Sequence, residues 1–173
     1  MKPALIRYRG WFACLLCALL LPGCAGYKLG PVTKLDYQSI AVPMFKNRTY
    51  QPQLEAQITN ALIKRLQTDG SLAIRSTDDA DTVLTCEIIS YRRMMLRGRR
   101  IDTTVPAEFR LTIEARVEAH DRITGKVILP PTVVSGQAET LVGSDQQSAE
   151  RQALPLIAED MARRTASLLL ELW

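Results

Sequence analysis

The stretch Glu108-Phe109-Arg110-Leu111-Thr112-Ile113-Glu114-Ala115-Arg116-Val117-Glu118-Ala119 alternates polar and apolar side chains without a lapse. Successive side chains of a strand point to opposite faces, so the pattern specifies a strand with one dry and one wet side. It also fixes the register, because a single-residue slip would turn every apolar group toward water. A long one-sided strand implies an antiparallel sheet covered on one face only. Working outward, residues 82–91 set Leu84, Cys86 and Ile88 against Thr85, Glu87 and Ile89 and read as the preceding strand. Residues 121–126 read as a turn, followed by strand pieces at 126–129 and 132–137, broken by Pro130-Pro131. Residues 39–45 (Ser-Ile-Ala-Val-Pro-Met-Phe) read as the first strand, with Pro43 making it an edge strand or marking its end, and 72–75 as a short one.

Two helices complete the pattern. Leu54, Ile58, Leu62 and Leu66 recur every four residues within 52–68, Glu55 lies in the first turn, and Gly70 follows as a stop. Over 146–173, Leu154, Ile157, Ala158, Met161, Thr165, Leu168, Leu169 and Leu172 trace one face, and Pro155 kinks this helix or marks its true start. The order strand, helix, three or four strands, helix predicts an α+β fold. Its sheet is expected to be largely antiparallel, with four strands or five, and both helices packed on one face.

The N-terminus carries Lys2, Arg7 and Arg9 without an acid, then an apolar run over 11–21 that ends at Leu21-Pro22-Gly23-Cys24. This is the grammar of an export signal, and the run is too short for the roughly 20 apolar residues of a membrane-spanning helix. A cysteine after a small residue at this point resembles the bacterial lipobox, although Pro22 departs from the commoner small residue. In that reading Cys24 becomes the lipidated N-terminus, carrying diacylglycerol and palmitate-type acyl chains. Ala25 is not the aspartate that retains lipoproteins in the inner membrane, so the expected location is the periplasmic face of the outer membrane. The expected organisation is a signal peptide at 1–23, a lipidated tether at 24–34 and a single domain at 35–173.

Maturation changes the charge and the cysteines. Losing residues 1–23 leaves 150 residues and removes three of 22 basic residues but none of 18 acids, for a formal charge of +1. A near-neutral exported chain gives no argument for nucleic-acid binding. Cys14 and Cys17 have the spacing of a redox or zinc pair but fall within the signal, so Cys86 is the only thiol left, read as a small buried hydrophobe.

Catalytic chemistry finds little support. His120 is the only histidine and stands at a strand end, and no phosphate loop, dinucleotide fingerprint or nucleophile elbow is present. No metal ligand set and no catalytic residue are assigned, and no cofactor is expected beyond the covalent lipid at Cys24. The remaining enzyme hypothesis, a periplasmic hydrolase using Glu108 or Glu114, rests on carboxylates that solvent exposure already explains. The chain is expected not to be an enzyme. One stretch stands apart: residues 91–100 contain Arg92, Arg93, Arg97, Arg99 and Arg100 around Met94-Met95-Leu96, between two predicted strands. Guanidinium groups bind phosphates bidentately and the apolar trio suits acyl chains, which fits an anionic amphiphile. A solvated hairpin tip explains the same residues equally well.

Taken together, Cys24-Ala25-Gly26-Tyr27-Lys28-Leu29, the strand Ile40-Ala41-Val42-Pro43-Met44-Phe45 with Asn47 and Thr49, the helix from Leu54, Ala80-Asp81 before a strand, Ala107-Glu108-Phe109-Arg110-Leu111, and a last helix containing Asp160 resemble the lipopolysaccharide-assembly lipoprotein family LptE. The resemblance covers essentially the whole mature chain. It implies a protein that sits within the large outer-membrane β-barrel of LptD type, supports its assembly and helps deliver lipopolysaccharide to the outer leaflet. It also implies a basic lipid-contacting loop between the middle strands, carried here by Arg97, Arg99 and Arg100, with Arg92 and Arg93 as weaker members. The family's second basic position falls near 143–145, where this sequence has no lysine or arginine. The first strand also resembles lipoproteins of the curli-secretion and penicillin-binding-protein-activator type, which act through protein contacts. Their domain alternates strands and helices more evenly than the consecutive strands read here.

Overall fold

The computed structural model describes residues 37–98, 100, 106–142 and 145–171. The signal peptide at 1–23, Cys24, the tether at 24–34, Arg99 and residues 143–144 lie outside that range. Strand β1 (Ser39–Ala41) and strand β2 (Lys46–Asn47) are followed by helix α1 (Leu54–Asp69) and strand β3 (Ala73–Ile74). Three long strands, β4 (Thr82–Gly98), β5 (Pro106–Asp121) and β6 (Val127–Leu141), precede helix α2 (Gln146–Glu171). The sheet order is β3-β1-β4-β5-β6, with β2 also paired to β4.

The α+β class holds, but the sheet has six strands and is mixed. β1 pairs in parallel with β3 and β4, and β2 in parallel with β4, while β4-β5 and β5-β6 are antiparallel. The strand expected at 39–45 ends at Ala41, because Pro43 has no N–H to give a ladder, and pairing resumes only beyond its expected end, at Lys46–Asn47, which read as loop. Strands of two or three residues are too short to show any period, which hid the parallel half of the sheet.

The other long strands exceed their predicted lengths. β6 runs unbroken through Pro130-Pro131, since it is the terminal strand of the sheet and its ladder with β5 bulges there, between Val117-Thr132 and Ala119-Leu129. Proline is tolerated at an edge or bulge, where its missing N–H is not needed. β4 continues through the arginine stretch to Gly98, so Arg92, Arg93 and Arg97 are strand residues rather than loop residues.

α1 forms where its leucine stripe predicts. Leu54, Ile58, Leu62 and Leu66 are buried, and Gly70, left-handed at φ 73°, returns its N–H to the Leu66 carbonyl at 3.0 Å. Thr59 is also buried: its hydroxyl donates to the Glu55 carbonyl at 2.6 Å and accepts the Phe45 N–H at 3.1 Å, tying the helix to the end of the Pro43 segment. Asn47 fixes the loop before α1, donating to the Gln51 carbonyl at 2.7 Å and to Glu55 Oε2 at 2.9 Å. α2 starts on Asp145, whose carboxylate accepts the Gln147 and Ser148 N–H groups at 2.8 and 3.1 Å. Pro155 lies inside α2 and does not mark its start.

Both helices share one core with the sheet. Phe109, Leu111, Ile113, Ala115, Val117 and Ala119 of β5 are buried, as the alternation requires, together with Leu84, Cys86 and Ile88 of β4 and Leu154, Ile157, Ala158, Met161 and Leu169 of α2. Each fully buried large apolar side chain contributes roughly 1.5–3 kcal/mol. Gly136 lets α2 lie close against β6. A β-carbon there would stand 2.4 Å from Met161 Cγ, 2.9 Å from the Ile157 carbonyl oxygen and 3.0 Å from Ile157 Cγ2. At the opposite end of the sheet Asp81 ties β1 to β4, accepting the Gln38 N–H, the Ser39 N–H and the Ser39 hydroxyl, at 3.0, 3.0 and 2.8 Å.

Candidate functional site

The arginines of β4 are distributed by two bulges. Up to Ile88 the even-numbered residues face the core, paired Leu84-Ala119, Cys86-Val117 and Ile88-Ala115 across β5. Ile88-Ala115 is followed by Ser90-Glu114, so Ile89 is an extra residue, and beyond it Tyr91, Arg93 and Met95 stand opposite Ile113, Leu111 and Phe109 on the core side. Arg92 and Met94 stand on the outer side, opposite Thr112 and Arg110. Leu96 is a second extra residue, and Arg97 opposite Glu108 faces outward again.

The outer face is a lattice of cross-strand ion pairs. Arg92 binds Glu114, and Arg97 Nη2 binds Glu108 Oε2 at 2.7 Å. Arg110 Nε binds Glu139 Oε1 at 3.0 Å, and Glu87 is shared by Arg48 at 2.6 Å and Arg116 at 3.5 Å. These exposed pairs each contribute about 0–1 kcal/mol and exchange readily with other anions. The Glu87 carboxyl is held below its usual range, chiefly by the Arg48 hydrogen bond. Met94, Met95 and Leu96 are exposed beside them, giving the far end of β4 an apolar surface among guanidinium groups.

Arg93 has a different environment. On the core side it pairs with Glu150 in the first turns of α2, with its guanidinium carbon 5.8 Å from the centre of the Phe109 ring. Glu150 also accepts from the Tyr91 hydroxyl at 3.1 Å and the Gln146 amide at 3.2 Å, and its side chain is 10 % exposed against 42 % for Arg93. Burial first, and the Glu150 charge second, push the Tyr91 hydroxyl above the usual tyrosine range. This polar knot fastens the start of α2 to β4.

The structure therefore brings Arg92 and Arg97 to one outer face, turns Arg93 to the other, and leaves Arg100 exposed in the bend after β4. The two glutamates read earlier as hydrolase candidates are partners of those arginines. Glu150 was missed, because nothing in the local pattern of α2 distinguishes it from an exposed helical glutamate. The outward parity of Glu108 and Glu114 was a usable signal for the other pairs. Among the described residues no group of three or more His, Cys, Asp or Glu side chains is placed to hold a metal ion. Among them also, no helix is long and apolar enough to cross a membrane. Burial drives the Cys86 thiol far above its ordinary range, leaving it unreactive.

Over residues 37–168 the chain matches the model of the family LptE, described as lipopolysaccharide-assembly. No curated protein sequence matches. A minor lipoprotein from Acinetobacter baumannii has a similar fold, with TM-score 0.55 at 16 % identity, over 79 % of this chain and 95 % of that one. A hypothetical protein from Chlamydia trachomatis superposes with TM-score 0.56 at 13 % identity, over 78 % of this chain and 96 % of that one. At these identities the two structures establish a shared fold alone.

Proposed function

The chain belongs to the LptE family of lipopolysaccharide-assembly proteins, and from that premise we propose that it is a non-enzymatic lipoprotein on the periplasmic face of the outer membrane. In this reading Cys24 carries the lipid, and the domain plugs a barrel of LptD type, assists its assembly and helps deliver lipopolysaccharide to the outer leaflet. The supporting observation is the family match from residue 37 to 168, which runs from the approach to β1 deep into α2. Affinity purification of the tagged chain from detergent-solubilised outer membranes tests it. Recovery of the barrel is expected, and recovery of a peptidoglycan synthase or a curli pore in its place would overturn it.

The lipid contact is assigned to the end of β4 and the stretch that follows it. Arg92, Arg97, Arg99 and Arg100 supply guanidinium groups for lipid phosphates, and Met94, Met95 and Leu96 meet acyl chains. Arg93 acts chiefly by holding Glu150 and contributes only the exposed part of its guanidinium. Replacing Arg92, Arg97, Arg99 and Arg100 with Gln is expected to weaken lipopolysaccharide binding and flatten its salt dependence. An unchanged salt dependence would return the stretch to a solubilising role.

A further inference from the structure

We propose that the free edge of β6, together with the part of α2 beside it, is a docking groove for an extended protein segment that carries an acidic side chain. β6 ends the sheet, and among the described residues no strand pairs with its outer edge. Alternate backbone N–H and C=O groups along such an edge lack strand partners and can accept an added strand. Natural edges are commonly blunted by charge or proline. Here residues 132–138 (Thr-Val-Val-Ser-Gly-Gln-Ala) hold neither, and the prolines Pro130 and Pro131 stand at one end only.

Beside this edge lies a groove of about 410 Å³, walled by Thr132, Val133 and Ser135 on one side and by Arg163, Arg164 and Leu168 on the other. A strand edge flanked by a helix is the arrangement in which peptides add as an extra strand, with backbone bonds giving affinity and side-chain contacts giving selectivity. Val133 and Leu168 supply the apolar contact. The charge identifies the occupant: Arg163 and Arg164 share a single carboxylate, Asp160, and remain 61 % and 55 % exposed. One guanidinium charge is thus left uncompensated at the groove, complementary to an aspartate or glutamate of the incoming segment. Gly136 holds α2 close to β6, which keeps these arginines beside the strand. β5 separates the groove from β4, so the surface is distinct from the arginines assigned to lipid.

The test is fluorescence anisotropy of the full chain in detergent with a labelled Thr-Val-Glu-Val-Thr-Val peptide. Saturable binding is expected. The double variant Arg163→Glu, Arg164→Glu should weaken it about fivefold or more, since two exposed ion-pair contacts are reversed. Changing the peptide's Glu to Gln should weaken it less, and N-methylation of alternate peptide amides should abolish it. Both arginines are exposed, so an unchanged thermal melt of the double variant separates docking from folding. Absence of saturable binding, equal binding by the double variant, or equal binding of the N-methylated peptide would each overturn the proposal. A dimer of the chain dispersed by the same substitutions would overturn it too, in favour of a second copy on the edge.

Discussion

Replacing Gly136 with alanine tests how α2 is seated. The added β-carbon would meet Met161 Cγ at 2.4 Å and the Ile157 main-chain oxygen at 2.9 Å. Met161 can swing away, because its side chain is flexible, but the Ile157 carbonyl belongs to the α2 backbone and moves only if the helix does. Overpacking of this kind costs about 1–3 kcal/mol. Against it, alanine restricts the unfolded chain and recovers about 0.4–1 kcal/mol. At the middle of both ranges the expected net loss is about 1.3 kcal/mol, and each kcal/mol lowers Tm by about 3–5 °C in a domain of this size. Urea and thermal unfolding of the mature chain would measure it. Met161→Ala alone should cost about 2–5 kcal/mol as a core truncation. Combined with Gly136→Ala it should cost less than the sum by at least about 0.5 kcal/mol, without complete rescue because the carbonyl contact remains. A Tm unchanged or raised by Gly136→Ala, or strict additivity with Met161→Ala, would refute the close packing of helix on strand.

Cys86 should resist iodoacetamide in the native protein and react stoichiometrically once urea unfolds it; native reactivity would contradict its burial. Asp81 is held below the usual aspartate range, first by the Ser39 hydroxyl and then by the Gln38 N–H. Its contribution is therefore complete above the unfolded aspartate range and lost as pH falls through the lowered folded value. Asp81→Asn should remove that part of the acid dependence in urea melts, and an identical acid limb would contradict the assignment. Glu150→Ala withdraws the shared acceptor of Tyr91, Arg93 and Gln146, so a loss of about 1–3 kcal/mol is expected, with amide exchange rising first at the start of α2. At high pH the raised Tyr91 hydroxyl works in the opposite sense from Asp81: its stabilisation is whole below the ordinary tyrosine range and disappears as pH climbs through the folded value. Tyr91→Phe should flatten this alkaline decline.

The features legible in the sequence were those with a long uninterrupted period. β5 shows twelve alternating residues and α1 a leucine stripe closed by Gly70, and both formed as read. β4 was legible only to Tyr91, because Ile89 breaks the alternation without any glycine or proline to mark it, and a run of arginines looks the same in a solvated loop as on a wet strand. The cross-strand partners Glu108 and Glu114 decide between the two, but only once the β4-β5 register is known. β6 was divided at Pro130-Pro131 because the sequence does not announce which strand will be at the edge. The parallel strands β1, β2 and β3 are fixed by tertiary contacts such as Asp81 with Ser39, which lie 42 positions apart and have no local pattern.

The extra residues Ile89 and Leu96 of β4 behave like a frameshift and its suppressor. Between them the strand is read one place out of step: Tyr91, Arg93 and Met95 are delivered to the core side, and after Leu96 the original phase returns, so that Arg97 looks outward. Inserting one residue between Ser90 and Tyr91 would rotate the message that follows, sending Arg92 and Met94 toward α2 and stripping Glu150 of both Tyr91 and Arg93. β4 should therefore accept substitutions at the outward residues Arg92 and Met94 more readily than an inserted residue between Ser90 and Met95. Related chains that keep the helix clamp are expected to vary this segment in spelling, with its length conserved.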